Sequence, residues 1–168
     1  MIADVFIEWL DALGDYALLI IPLVAFLEAC LGIGLFVSGA ILLSLCTLLY
    51  SQGGASLQQM LPLAFAGAIT ADNMGYMIGS WMGPKFHNTK VARNNAAGIA
   101  KAEQLVLRHG ELAIIFGRLI PAVRSVVPLL TGISGLPYAR YLRYDLIACL
   151  IWITGLGLLV TGIGRLLE

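Results

Sequence analysis

The feature that constrains this chain most is an apolar run too long to be one membrane crossing. From Tyr16 to Tyr50 the sequence runs 35 residues whose only charged side chain is Glu28. As a single helix that run would be about 52 Å long at 1.5 Å per residue, against a hydrocarbon core of about 30 Å. The segment therefore has to bend, and glycine permits a break at Gly32, Gly34 or Gly39. Two short helical arms around such a turn enter a bilayer and leave on the same side. Non-helical backbone at that depth is tolerated only inside protein or beside a water-filled cavity.

The rest of the chain repeats the pattern. After a polar loop at 51–60, the stretch 61–83 has the length of one span and carries Asp72 and Asn73 near its centre. Residues 84–110 form a basic loop ending in an amphipathic helix around 99–109. A second broken apolar stretch, 112–136, contains Arg118 and Arg124 and is interrupted by Pro121, Pro128 and Gly132. Residues 137–145 are expected at the interface, with Tyr138, Tyr141 and Tyr144 as belt aromatics. The last stretch, 146–167, is a plain span with Gly155, Gly157, Gly162 and Gly164 available for close packing. Ahead of all this, residues 1–15 read as an interfacial amphipathic helix, with Ile2, Phe6, Trp9, Leu10 and Leu13 opposite Asp4, Glu8 and Asp11. The order hairpin, span, hairpin, span predicts one all-α integral membrane domain over 1–168. It is an inverted repeat of a re-entrant hairpin (16–50, then 112–136) plus a transmembrane helix, an arrangement characteristic of transporters.

Composition agrees. The chain is 60% hydrophobic and only 12% charged, with a mean hydropathy of +0.90. Soluble domains carry roughly 25% charged residues, so this chain lacks the polar surface to cover a water-soluble globule. Seven of the ten Lys and Arg residues fall in 84–110 and 137–145, on one side of the expected topology, and none falls in 1–15 or 51–60. The positive-inside rule makes the basic side cytoplasmic. No basic face is interleaved with aromatics, so nucleic acid is not an expected partner. Cys30, Cys46 and Cys149 lie in apolar runs without metal-ligand spacing, and no metal or cofactor is expected. The acidic start is unlike a cleaved leader.

Glu28, Asp72, Arg118 and Arg124 sit in apolar surroundings. Each costs about 2.5–3.5 kcal/mol at a helix centre, roughly 10 kcal/mol for the set if unpaired. Such residues should be paired or face a cavity. A structural reading competes: ion pairing, snorkelling, or for Asp72 a local polar cluster with Thr70 and Asn73. Arg118 and Arg124 are six residues apart, about 240° around an unbroken helix, and a break at Pro121 would let both converge on one cavity. Guanidinium matches phosphate oxygens in bidentate fashion, which makes both arginines candidate substrate-binding residues with Glu28 assisting. Glu28 and Asp72 are candidate proton-coupling residues, because low dielectric disfavours the charged form of a carboxylate.

The segment 117–137, GRLIPAVRSVVPLLTGISGLP, resembles the G-R-F-x-P-x-x-R-x-x-x-P-x-x-A-G pattern of the DedA family, also called the SNARE-associated or VTT-domain family. The match covers Gly117, Arg118, Pro121, Arg124, Pro128 and Gly132. The stretch DNMGYMIGSWMG at 72–83 is similar to the family's G-D-x-x-G-Y-x-x-G-x-x-x-G element, with Ala71 for the leading Gly, and Glu28 fits the acid opening the first re-entrant segment. One departure is Ser38-Gly39-Ala40 in place of the family's P-G-[DE] turn, so its second acid is missing at Ala40. A final helix carried by many members is also expected to be absent. The resemblance implies lipid translocation in the bacterial cytoplasmic (inner) membrane: flipping of undecaprenyl phosphate or a phospholipid, in the manner of a flippase or scramblase.

The leading expectation is thus a transporter of a phosphate-bearing lipid, with proton coupling as a further element and homo-oligomerisation left open. The alternatives are a proton-coupled carrier of a small ion and a non-transporting assembly factor. A membrane enzyme is not expected: no histidine lies in an apolar segment, and no nucleophile–base spacing is evident.

Overall fold

The structure, a computed structural model, describes residues 17–30, 39–94, 96–120 and 123–167. The interfacial helix expected over 1–15 and the expected breaks at Gly32, Gly34 and Pro121 lie outside the described residues. Among the described residues every regular element is helical: α1 (Ala17–Ala29), α2 (Gly39–Ser51), α3 (Leu57–Met82), α4 (Lys90–Asn94), α5 (Ala96–His109), α6 (Leu112–Leu119), α7 (Val127–Ile133) and α8 (Tyr138–Leu167), with a 3₁₀ turn at Gly83–Asn88.

Two long helices organise the rest. α3 begins where the Ser56 amide donates to Gln59 Oε1 at 3.0 Å, closing its first turn. It ends at Gly83, whose positive φ of 54° reverses the chain. α1 and α7 pack against α3, α6 and α2 pack against α8, and the two long helices touch each other. α8 has a mean hydropathy of 2.3 over an 18-residue window, yet only 33% of that window is buried. Its Leu150, Leu158 and Leu159 are more than half exposed, as a helix facing hydrocarbon should be.

Close backbone approach, with no side chain between, sets how α1 and α7 sit on α3. A Cβ added at Gly67 would lie 2.8 Å from the carbonyl carbon of Pro22 in α1, and one at Gly79 would lie 2.9 Å from that of Leu129 in α7. Gly132 of α7 presses back on α3, where its Cβ would fall 2.8 Å from the Ser80 nitrogen. Without a hydrophobic drive between helices in lipid, such small-residue contacts supply the van der Waals packing. Apolar clusters fill the space on either side. One joins Ile21, Leu42, Leu45, Met60, Ala64, Leu156 and Val160; the other joins Ile114, Val126, Val127, Leu129 and Tyr141.

Several expectations shift. Gly132 is not a break but lies inside α7, where the tight contact with α3 explains the need for glycine. Pro128 does mark a helix start, in the first turn of α7, where a missing N–H goes unnoticed. Gly39 is the first residue of α2. The polar loop shrinks to 52–56, since α2 runs through Ser51 and α3 starts at Leu57. Residues 138–145, expected at the interface, form the opening turns of α8, because the helical period continues upstream from residue 146. The glycines of α8 are only partly used: Gly157 and Gly164 meet the side chains of Leu61 and Tyr50, while Gly155 and Gly162 face open space.

These contacts predict unequal glycine tolerance. Gly79→Ala is expected to destabilise the protein by about 1–3 kcal/mol through overpacking against α7. Gly155→Ala is expected to be neutral or to gain up to about 1 kcal/mol of helix propensity. Thermal unfolding in detergent checks the pair.

Candidate functional site

Between the two apolar clusters, the charged residues of four helices and one turn converge. Glu28 lies at the end of α1, Asp72 midway along α3, and Arg118 in the last turn of α6. Arg124 sits in the turn joining α6 to α7, which is held by the Arg124 amide donating to the Ile120 carbonyl at 3.0 Å and the Val127 amide to that of Val123 at 3.1 Å. The stretch 112–136 is therefore two short helices around a turn, and this brings guanidiniums six residues apart to one place. Glu28, Asp72 and Arg118 are buried, and the Arg124 side chain is 9% exposed.

All four expected residues take part, and they pair across the two halves of the chain. Arg124 Nη1 bonds Glu28 Oε1, and Arg118 Nη1 bonds Asp72 Oδ2. Asp72 is not absorbed into a local polar cluster: Thr70 donates to its own helix at the Ala66 carbonyl (2.6 Å), and Asn73 to that of Ile69 (2.7 Å). Gly39 fits the site tightly, since a Cβ there would be 2.8 Å from Glu28 Oε1. The substituted position, Ala40, is exposed on α2.

Two members were not foreseen. Asp145 of α8 is 1% exposed and stands 3.5 Å from Arg118 Nη1. The Trp152 ring, also on α8, has its centroid 5.4 Å from the guanidinium carbon of both Arg118 and Arg124. That is within cation–π range, where a desolvated pair is worth about 2 kcal/mol. Tyr141, expected in the interfacial belt, is fully buried and stacks on Tyr76 at 4.3 Å. The signal for all three was a spacing of three and four residues along α8: Tyr141, Asp145, Cys149, Trp152, Leu156 and Val160 form its inward stripe. Ending the span at residue 146 left Tyr141 and Asp145 off that stripe.

The donors are not used up. Arg118 Nε and Nη2, and Arg124 Nη2, are buried without a hydrogen-bond partner. Nε and Nη2 form one edge of the Arg118 fork, and the carboxylates occupy only Nη1. An edge with two parallel N–H groups is the geometry that accepts two oxygens of one carboxylate or phosphate.

The VTT domain model matches residues 18–162. The chain belongs to the VTT-domain, or DedA, family. It is 30% identical over 141 residues to the inner membrane protein YabI of Escherichia coli K12, covering 82% of this chain and 54% of that one. It is 33% identical to the inner membrane protein YghB of the same strain (79% and 59% covered) and 29% identical to its protein DedA (83% and 65%). The chain thus spans between half and two-thirds of the length of these relatives. It is an integral protein of the bacterial inner membrane. No solved structure matches it significantly.

A buried pair is most costly when one partner is removed. Arg124→Met is expected to destabilise by about 3–5 kcal/mol through the stranded Glu28 carboxylate, and the double variant Glu28→Met/Arg124→Met is expected to recover most of it. Denaturation of the three proteins in detergent closes the cycle.

Proposed function

We propose that this protein carries a phosphate-bearing lipid, such as undecaprenyl phosphate or a phospholipid, across the membrane, with the head group held by Arg118 and Arg124. The observation that carries the reading is the unspent edge of Arg118, buried, with the equally unspent Arg124 Nη2 on a guanidinium that shares the Trp152 ring with it. Carboxylates on Nη1 hold each guanidinium in position and leave Arg118 Nε and Nη2 and Arg124 Nη2 to the anion. Glu28 assists by fixing Arg124, and a proton taken up by Glu28 or Asp72 once an anion displaces it from its guanidinium would offset the negative charge brought by the phosphate.

An apolar groove of about 590 Å³ supports a lipid over a small ion. Its lining, between α1 and α2, includes Ile20, Val24, Ala40, Ile41 and Leu45, with Ser44 as its polar side chain. Ala40 follows Gly39, which abuts Glu28, so an acyl or prenyl chain in the groove would begin beside the ionic cluster.

The single membrane domain is read as an inverted repeat in which α1–α2 and α6–α7 are re-entrant. The described parts of α1 and α2, 13 residues each, are about 20 Å long, short of a 30 Å core. The packing supports the repeat: α3 contacts the first arm of its own hairpin and the second arm of the other, and α8 does the same with α6 and α2. Alternating access in such folds is rocking of one repeat against the other around a midplane site.

In liposomes, the protein is expected to accelerate movement of a fluorescent phosphate-bearing lipid between leaflets. Arg124→Lys should lose at least about tenfold, since an ammonium cannot reproduce a planar fork. Wild-type rates in both Arg118→Lys and Arg124→Ala would refute the head-group role. Solute uptake driven by a pH gradient without lipid movement would favour a small-ion carrier instead.

A further inference from the structure

We propose that Asp145 is a proton-binding site of the ionic cluster, its carboxyl carrying a proton in the resting protein. The inference concerns how the site proposed above is charged, and it deepens that reading. Three buried carboxylates, Glu28, Asp72 and Asp145, face two guanidiniums, Arg118 and Arg124. Fully ionised, the group would hold a net charge of −1 in apolar surroundings, and a surplus buried charge is removed by taking up a proton. Among the described residues no Lys, Arg or His other than Arg118 and Arg124 pairs with these carboxylates, and α2 and α7 contain no ionisable side chain besides Cys46 and Tyr50.

Geometry selects Asp145 among the three. Glu28 and Asp72 each engage a guanidinium directly, whereas Asp145 Oδ1 stands off at 3.5 Å, the outer limit of a hydrogen bond, behind Asp72 on the same Arg118 nitrogen. Its Oδ2 is buried near the Tyr141 hydroxyl, with no hydrogen bond of normal geometry. The groups facing it are Arg118 from α6, Asp72 from α3, and Tyr141 and Cys149 from its own helix, with Tyr76 stacked behind Tyr141. Two carboxylates opposite one guanidinium nitrogen cannot both be compensated, and the one held more loosely is the one protonated.

The consequence is a charge rule for loading. With Asp145 neutral the cluster is balanced, and an anion can approach the Arg118 edge. With Asp145 ionised the anion meets a site that is already negative. Proton uptake at Asp145 and anion entry therefore favour each other, and loss of the proton to water favours release.

The test reads the proton itself. The full-length protein in an ester-free maltoside detergent should show, near neutral pH, the infrared carbonyl stretch of a neutral carboxylic acid. Asp145→Asn should abolish it, and Asp145→Glu should keep such a band at a displaced position, since the protonated group has changed. A wild type without the band, a band that survives Asp145→Asn, or one that Asp145→Glu leaves in place overturns the proposal; the Glu variant keeps the test decisive if the Asn variant does not fold. In liposomes, wild-type lipid movement should fall by about tenfold per pH unit once Asp145 ionises, and Asp145→Asn should flatten that dependence. Lipid movement without the infrared band would sink the proton site alone, whereas the band without lipid movement in any preparation would sink the carrier reading and leave the proton site standing.

Discussion

Everything in this molecule is arranged around two guanidiniums held inside an apolar bundle. An ionised side chain at bilayer depth is tolerated only when paired or when it faces water, and stranding one costs several kcal/mol. Here the partners arrive from opposite halves of the chain: Glu28 in α1 for Arg124, and Asp72 in α3 for Arg118. Neither half can satisfy its own charges. The ion pairs therefore specify how the halves join as much as they stabilise the junction, and they account for charged residues in stretches that are otherwise apolar.

The helix packing serves that junction. Gly67 and Gly79 are twelve residues apart on α3 and admit the backbones of α1 and α7 on either side of Asp72. The same device that lets short helices pack without side chains between them thus fixes how far Glu28 and the Arg124 turn reach. The Trp152 ring completes the enclosure from α8, offering a polarisable face to both cations without consuming their N–H donors. Pairing by carboxylates on Nη1 and stacking by an indole leave the Arg118 fork anchored and unspent, an arrangement suited to an anion that must be bound and then released.

Much of this was legible in the sequence, because the physical penalties are large. An apolar run of 35 residues has to bend, and Glu28, Asp72, Arg118 and Arg124 had to find partners. The motif around Arg118, Pro121 and Arg124 also pointed to the family that the VTT domain model identifies. Two of the missing parts, Tyr141 and Asp145, follow from one boundary. Reading PYARYLRYD as interfacial ended the last span at residue 146, although α8 extends back to Tyr138. A polar, aromatic composition looks like an interface, but Tyr141 and Asp145 are buried because α6 and α3 cover that face of α8. Trp152 was hidden differently: an aromatic in an apolar span reads as packing until both arginines are placed beside it. Gly132 was misread for a related reason, since glycine serves close approach as readily as a break.

The most direct test of the central claim uses Trp152 as the reporter, because its ring lies against both guanidiniums. In a single-tryptophan protein (Trp9→Phe, Trp81→Phe), emission should change saturably on titration with a short-chain phosphatidic acid and remain unchanged with the matching diacylglycerol. An equal response to both lipids, or none to either, would contradict a phosphate site built on Arg118 and Arg124.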